Sequence, residues 1–222
     1  MRSRDQKSQA EDDYAELRHK MVRQQIQKRG IKNRSVLAAM RKVPRHLFTT
    51  PQYLAEAYTD HALSINCGQT ISQPYIVALM TDRLQLKPTS NVLEIGTGCG
   101  YQTAVLAELV NQVYTVEIIP ELAKDAQKQL NRLGYRNVDL KIGNGYFGWE
   151  EHAPYDRIIV TAAPKETPTR LIEQLAEGGR MVIPIGDYSQ ELMLICKTDG
   201  EIERVEVTAV RFVPMTDAPD DN

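Results

Sequence analysis

The sequence has few cysteines and histidines, and it has no long apolar run. No segment approaches the roughly 20 apolar residues that cross a bilayer, so we expect no membrane segment. The four histidines show no metal-ligand spacing, which predicts that the protein holds no metal. The three cysteines form no CxxC pair and predict reduced thiols in a cytoplasmic protein. The first residues lack an apolar signal-peptide core, so we expect no export signal.

Acidic residues are scarce in the first part of the chain. Residues 1–46 carry 13 Lys and Arg but 5 Asp and Glu, whereas the remaining residues carry 14 and 24. Such asymmetry is compatible with an acidic partner or a nucleic acid. Because no aromatic residues interleave with these basic residues, we favour a solvated helix face and expect no nucleic-acid partner.

The first 84 residues show mainly helical patterns. One helix is predicted by apolar residues at helical spacing, namely Tyr14, Leu17, Met21, Val22 and Ile26. Gly30 is expected to end this helix, and Ser35 to cap a short second one. We expect an ordered loop over residues 58–73, where no period persists. A third helix is predicted to carry Pro74 in its first turn.

After residue 88, short apolar runs alternate with helical patterns. Strands are predicted over residues 92–95, 113–116, 138–142, 157–160 and from 181. Helices are predicted over residues 101–110, 121–133 and 171–177. This alternation predicts parallel strands joined by right-handed helical crossovers, which is a doubly wound α/β sheet. Two further strands, over residues 192–196 and 202–213, predict a hairpin that adds an antiparallel edge.

A glycine-rich loop, GTGCG over residues 96–100, joins the first of these strands to its helix. Glu117 closes the next strand, where an acid can accept hydrogen bonds from both ribose hydroxyls, although a surface Glu gives the same pattern. The loop lacks the GxGxxG spacing that places a pyrophosphate on a helix N-terminus. The negative charge of Glu94 would disfavour a pyrophosphate but tolerate a sulfonium. A cationic nucleoside without phosphate is favoured, and S-adenosyl-L-methionine is the common one.

Several long motifs carry a resemblance to one enzyme family. VLEIGTGCGYQTAVLAEL (92–109) resembles motif I of the class I methyltransferases. The segments that resemble protein-L-isoaspartate O-methyltransferases are GQTISQPYIVALMT (68–81), GWEEHAPYDRIIVTAAP (148–164), LAEGGRMVIPIG (175–186) and VRFVPM (210–215). The resemblance covers residues 21–216, which is nearly the whole chain.

This resemblance implies a seven-stranded, mostly parallel methyltransferase sheet with an antiparallel C-terminal edge and N-terminal helices. It implies S-adenosyl-L-methionine as the methyl donor, S-adenosyl-L-homocysteine as the product, and an isoaspartyl or D-aspartyl residue of a damaged protein as the acceptor. We expect a monomer with one domain over residues 1–222. Its parts are an N-terminal helical, substrate-side region (1–73), a Rossmann-like catalytic core (74–216) and an acidic tail (217–222).

The resemblance also assigns site residues. Ser72 is the expected catalytic residue, whose hydroxyl would bind the substrate carboxylate; the alternative is an N-cap for the helix at Pro74. Cofactor binding is expected for Gln69, Thr70, Ile71, Glu94, Gly96, Thr97, Gly98, Gly100, Glu117, Ile118, Asn144, Gly145 and Thr216. Substrate binding is expected for Ser72 and for a strand with Val210, Phe212 and Val213, which would pair with the substrate backbone.

The chain departs from the family pattern at Asn144, where the family usually has Asp in a Gly-Asp-Gly motif. The side-chain oxygen of Asn144 can still accept a hydrogen bond from an adenine amino group, or the residue serves only the turn.

Two other functions stay open. The basic N-terminal region favours a class I methyltransferase that acts on RNA or a small molecule, but the chain has no Asn-Pro-Pro-Tyr type motif for amino-group methylation. A non-enzymatic sensor that keeps the nucleoside pocket is the second, against which the intact Ser72 and VRFVPM segment argue.

Overall fold

A computed structural model describes the backbone of residues 2–217 and the side chains of residues 11–217. Its strands are β1 Leu63–Ser64, β2 Thr70–Ile71, β3 Asn91–Ile95, β4 Gln112–Glu117, β5 Val138–Ile142, β6 Tyr155–Val160, β7 Leu175–Gly186, β8 Gln190–Thr198 and β9 Glu201–Val210. Seven of them form one sheet in the order β5-β4-β3-β6-β7-β8-β9. The neighbours from β5 to β7 are parallel, whereas β8 and β9 are antiparallel. The predicted doubly wound sheet with an antiparallel edge is therefore confirmed.

The sheet separates two apolar cores. The α-helices of the protein are α1 Arg2–Met21, α2 Arg34–Lys42, α3 Pro74–Arg83, α4 Tyr101–Ala107, α5 Pro120–Arg132 and α6 Thr169–Glu173. Successive side chains of a strand point to opposite faces. Accordingly, Val92 and Ile159 pack into one core, and their neighbours Leu93 and Ile158 pack into the other, all four fully buried. None of the described helices is both long enough and apolar enough to cross a membrane.

The N-terminal helices agree with the prediction except at one cap. α1 continues through a π-helical turn, Val22–Ile26, and a 3₁₀ turn, Gln27–Arg29, and Gly30 ends it with a left-handed φ of 100°. Ser35 does not cap α2, so that prediction is wrong. The cap is Asn33, whose side-chain oxygen accepts hydrogen bonds from the N–H groups of Ser35 (3.0 Å) and Val36 (3.3 Å).

The segment predicted as a loop over residues 58–73 contains a short hairpin. β1 and β2 pair antiparallel around a 3₁₀ turn, Asn66–Gly68. Two residues a strand are too few to show an alternating pattern in the sequence. α3 then begins with Pro74 at its first turn, as predicted.

Several predicted boundaries in the second half of the chain are wrong. The helix predicted over residues 101–110 ends at Ala107. The helix predicted over residues 171–177 ends at Glu173, and Leu175 already belongs to β7, where it pairs with Tyr155. The pairing register between β6 and β7 then shifts. The start of β7 is therefore irregular, and a regular alternation of apolar and polar residues does not reveal it in the sequence. The strand predicted over residues 202–213 ends at Val210. Of the predicted tail 217–222, residues 218–222 lie outside the described part of the chain.

Candidate functional site

A cavity opens at the carboxyl ends of β3, β4 and β6. β3 and β6 flank the point where the strand order reverses, which is where open α/β sheets bind ligands. The walls of the cavity include most of the site residues predicted from the sequence, namely Gln69, Thr70, Ile71, Ser72, Gly96, Thr97, Gly98, Glu117, Ile118, Gly145, Val213 and Thr216. Five predicted residues do not line it, namely Glu94, Gly100, Asn144, Val210 and Phe212.

Glu117 is held in place by the backbone of two loops. Its Oε2 accepts a hydrogen bond from the N–H of Gly98 at 2.8 Å, and its Oε1 accepts one from the N–H of Ile119 at 2.9 Å. The residue is 5% exposed. A carboxylate oxygen accepts more than one hydrogen bond, so each oxygen retains capacity for a ligand hydroxyl. This geometry suits the two neighbouring hydroxyls of a ribose.

Two glycines at the cavity leave no room for a side chain. Gly96 has a φ of 94°, and a Cβ there would collide with the hydroxyl of Thr161, which donates hydrogen bonds to the carbonyls of Gly96 and Ile95. A Cβ on Gly145 would collide with Ile95 and would lie 3.0 Å from the Cε of Met215. Glycine is therefore required at both positions of the cavity wall.

The carboxyl group of Glu94 lies beneath the glycine loop, in the protein interior. It is fully buried, and its Oε2 accepts hydrogen bonds from the hydroxyls of Thr103 (2.5 Å) and Thr115 (2.7 Å). Burial raises its pKa from 4.5 to about 8, although the two hydroxyl hydrogen bonds act in the opposite direction. The group is therefore mainly neutral at pH 7. The argument from the sequence assumed an ionised side chain, and burial of Glu94 disfavours the ionised form.

Glu94 still reaches the cavity through a chain of hydroxyl groups. The Thr115 hydroxyl that donates to Glu94 lies 2.7 Å from the hydroxyl of Thr97, and Thr97 lines the cavity. The Oε1 of Glu94 has no hydrogen-bond partner among the described residues. Glu94 thus supports the loop from behind, and Thr97 is the member of this network that a ligand can contact.

Ser72 follows β2 and faces the cavity. The N-cap of α3 is Gln73, without a side-chain cap, so the alternative in which Ser72 caps this helix is wrong. Within the described part of the chain, the Ser72 hydroxyl forms no hydrogen bond. The neighbouring Gln73 is fixed, because its Nε2 donates to both the backbone oxygen and the carboxylate of Asp60, each at 2.9 Å. The serine hydroxyl is therefore free for a ligand on a fixed backbone.

Asn144 supports a turn, as one of its two predicted roles required. Its Oδ1 accepts a hydrogen bond from the N–H of Tyr146 at 2.9 Å, and its Nδ2 donates to Asp217 at 3.3 Å. The cavity wall at this point is Gly145. The described geometry gives no direct contact between Asn144 and the cavity, so direct adenine binding by its side chain stays a prediction.

Residues 213–216, in the segment after β9, form one wall of the cavity without being a strand. The N–H of Ala163 donates to the carbonyl of Val213, and the N–H of Met215 donates to the carbonyl of Ala163, each at 2.8 Å. The N–H and the carbonyl of Phe212 are both bonded to the side chain of Gln190. The backbone N–H and carbonyl of Phe212 thus already have partners within the chain, and pairing of a substrate backbone at this residue stays a prediction.

The cavity wall carries little charge. Among the described residues that line it there is no Lys, Arg or His. Burial raises the pKa of Cys99 to about 11 and raises that of Tyr101 well above its usual range, so both are neutral. Glu117 is the only acidic residue in this wall. The site therefore suits a ligand with a positive group of its own and few phosphates.

Sequence reasoning missed several residues of the wall. Thr161 follows β6 just as Gly96 follows β3, so its place at a strand end was a usable signal. Gln102 lies on α4, and its Nε2 donates to the hydroxyl of Thr81 on α3 at 3.0 Å. No periodic pattern distinguishes it, because all described residues of α4 are buried.

Comparison with known proteins agrees with this geometry. A profile described as protein-L-isoaspartate(D-aspartate) O-methyltransferase matches residues 16–220. A protein-L-isoaspartate O-methyltransferase from Picosynechococcus sp. is 54% identical over 199 residues, which are 90% of each chain. One from Dictyoglomus turgidum is 56% identical over 191 residues, which are 86% of this chain and 87% of the relative.

Solved structures show the same likeness. A protein-L-isoaspartate O-methyltransferase superposes with a TM-score of 0.83 at 32% identity, covering 90% of this chain and 66% of that one. A candidate protein-L-isoaspartate O-methyltransferase from Plasmodium falciparum, in complex with S-adenosyl-L-homocysteine, gives a TM-score of 0.79 at 29% identity and covers 90% and 98% of the two chains. With the profile matching nearly the whole chain, this protein belongs to the protein-L-isoaspartate(D-aspartate) O-methyltransferase family.

Proposed function

We propose that this protein transfers the methyl group of S-adenosyl-L-methionine to the free carboxylate of L-isoaspartyl residues, and of D-aspartyl residues, in damaged proteins. The observation that carries the proposal is one cavity that contains both the free hydroxyl of Ser72 and the backbone-anchored carboxylate of Glu117, and whose described residues include no Lys, Arg or His. The first group suits an acceptor carboxylate and the second suits a nucleoside.

The protein has to bind and orient the methyl donor and the acceptor carboxylate, and it needs no general base. The main chain of an isoaspartyl residue runs through its side-chain carbonyl, so the α-carboxylate is left free, and that group is ionised at neutral pH. When bound, S-adenosyl-L-methionine supplies a methyl carbon that is electrophilic because it is attached to a positive sulfur. Ser72 can donate a hydrogen bond to one carboxylate oxygen and leave the other aimed at the methyl carbon. Such positioning contributes up to about 7–11 kcal/mol in favourable systems.

The lack of basic residues in the wall has a chemical consequence. Methyl transfer converts a carboxylate and a sulfonium into an ester and a thioether, so opposite charges disappear along the reaction. A buried Lys or Arg beside the carboxylate would stabilise the charged reactant more than the less charged transition state. A wall whose described residues include no Lys, Arg or His therefore favours reaction over tight binding of the acceptor.

Transfer to a carboxylate would serve repair. The ester carries methoxide, a better leaving group than the oxide of a carboxylate, so the neighbouring backbone nitrogen attacks the ester carbonyl, methanol leaves and a succinimide forms spontaneously. Hydrolysis of the succinimide returns part of the chain to normal aspartate. The protein contributes nothing to these later steps beyond releasing the ester.

The test is the transfer of labelled methyl to an isoaspartyl peptide, with the aspartyl peptide of the same sequence as the matched control and an RNA in parallel. We expect label in the isoaspartyl peptide as a base-labile ester, and none in the control or the RNA. Equal labelling of both peptides, or labelling of RNA alone, would refute the proposal. Binding of S-adenosyl-L-homocysteine without any transfer would favour the non-enzymatic sensor.

We also propose that the protein acts as a monomer in the cytoplasm and without nucleic acid. The free thiols of Cys67, Cys99 and Cys196 support a reducing compartment. Light scattering after size exclusion should give the mass of a single chain, and the mass of two chains would contradict the monomer.

A further inference from the structure

The side chain of Gln190 replaces a missing strand neighbour. Gln190 begins β8 and is 8% exposed. Its Oε1 accepts a hydrogen bond from the N–H of Phe212 at 2.6 Å, and its Nε2 donates to the carbonyl of Phe212 at 3.2 Å. The same Nε2 lies 3.5 Å from the carbonyl of Asp187 in the β7–β8 turn. We call the two bonds to Phe212 the Gln190 clasp.

The clasp lies where regular pairing stops. Gln190 pairs through its backbone with Val210, the last residue of β9. Beyond this pair β8 has no further residue, because the chain turns back to Gly186 of β7. The amide of Gln190 carries one acceptor and two donors, so it can bond both backbone groups of Phe212 as a strand would. The side-chain amide of Gln190 thus fixes the backbone two residues past the end of β9.

The segment that the clasp holds is a wall of the cavity. Val213, Pro214, Met215 and Thr216 all line it. Beyond the clasp, Ala163 fixes Val213 and Met215, and the hydroxyl of Tyr146 donates to the carbonyl of Met215 at 3.3 Å. Between the end of β9 and Val213, the Gln190 clasp is the last contact that fixes the backbone of this segment. Without it, the backbone groups of Phe212 would need other partners, and the wall would lose its anchor at that end.

We infer that Gln190 is a positioning residue for methyl transfer, acting through the backbone of Phe212 on the wall that receives the acceptor. This inference rests on the proposed function for its kinetic part only. Gln190 does not line the cavity itself, so it acts without touching either ligand. Loss of the clasp should affect the acceptor more than the nucleoside, because Glu117 and the glycine loop are anchored elsewhere.

The first experiment compares the wild type with Gln190→Leu, which keeps the side chain's bulk and removes both bonds. Hydrogen exchange should become at least about tenfold faster at the N–H of Phe212, which loses its acceptor. The KM for an isoaspartyl peptide should rise about tenfold, the effect of about one hydrogen bond. Affinity for S-adenosyl-L-homocysteine should change less than about threefold. Unchanged exchange and an unchanged KM would overturn the inference.

A control variant separates positioning from general loss of stability. Asn137 also uses a side-chain amide to bond backbone groups, donating to the carbonyls of Ala107 (3.0 Å) and Val110 (3.2 Å), and it does not line the cavity. Asn137→Leu should lower the free energy of unfolding without raising the KM for the peptide. An equal rise of KM in both variants would show that Gln190 acts only through stability.

In the variant Gln190→Glu, protonation of the introduced carboxyl group should restore the two bonds of the Gln190 clasp. A neutral carboxyl group offers one donor and one acceptor, which is what the two bonds to Phe212 require, whereas an ionised one cannot donate to the carbonyl of Phe212. The titratable groups around this position are Tyr146, Lys165, Glu166, Asp187 and Asp217. Relative to wild type at the same pH, the peptide KM of the variant should fall toward the wild-type value as the pH is lowered to about 5.5, because burial favours the neutral form. A constant ratio across the pH range would contradict the clasp.

The readouts also distinguish this inference from the proposed function. If the wild type fails to methylate the isoaspartyl peptide, the proposed function is wrong. Exchange at Phe212 and affinity for S-adenosyl-L-homocysteine would still show whether Gln190 holds the wall.

Discussion

Replacement of Glu94 by Gln should change how the stability of the protein depends on pH. The folded state holds the proton of Glu94 with a pKa of about 8, against 4.5 for the ordinary group. Since the pKa is raised, the stabilisation is complete below pH 4.5 and is lost as the pH rises through about 8. An amide has the same shape and no proton to lose, so Glu94→Gln removes this dependence.

The size of this change in pH dependence follows from the two pKa values of Glu94. Within this window, the free energy of unfolding of the wild type should fall by about 1.4 kcal/mol per pH unit relative to the variant. Between about pH 5.5 and pH 7.5 the difference should therefore shift by about 2–3 kcal/mol. The amide oxygen can still accept from the hydroxyls of Thr103 and Thr115, so the variant should fold.

Urea unfolding, followed by the fluorescence of Trp149, the single tryptophan, measures this shift. Glu201→Gln is the control for the loss of one formal acidic group, because Glu201 is exposed at the start of β9 and such a charge contributes little to stability. A difference between wild type and Glu94→Gln that stays constant over this pH range would show that Glu94 is ionised in the folded protein. The description of the buried network would then be wrong.

Four further predictions concern the cavity and the turn at Asn144 beside it. Ser72→Ala should raise the barrier for methyl transfer by about 1.5–3 kcal/mol with little effect on S-adenosyl-L-homocysteine binding, and wild-type turnover would demote the serine. Glu117→Gln should weaken binding of S-adenosyl-L-homocysteine in calorimetry, because an ionised acceptor is lost, and equal affinity would refute the ribose assignment. Asn144 precedes Gly145, whose unhindered nitrogen can attack the side chain, so ageing should deamidate Asn144 more slowly with S-adenosyl-L-homocysteine present; peptide mass spectrometry that finds equal rates would contradict this protection. Asn144→Asp should speed hydrogen exchange at the N–H of Met215, because it replaces the bond to Asp217 by two facing carboxylates, and unchanged exchange would contradict that role.

Local patterns predicted the centre of the fold well. The alternation of short apolar runs with helical patterns predicted β3 to β6 and their crossovers, because strands buried on both faces are continuous apolar runs. The glycine loop and Glu117 were placed at one sheet edge by the same logic, because carboxyl ends of parallel strands meet there. Patterns failed where elements are short or irregular, as in β1, β2 and the first residues of β7.

The amino-acid sequence by itself determined the sheet, the place of the cavity and the family. Only the tertiary structure decided that Glu94 is mainly neutral, because its pKa depends on burial and on hydroxyls from two other elements. Likewise, Gln190 and Phe212 lie 22 residues apart, and their hydrogen bonds exist only once β8 and β9 have paired. Periodicity reports which face of an element is apolar, whereas protonation and hydrogen-bond partners depend on atoms that the folded chain brings together.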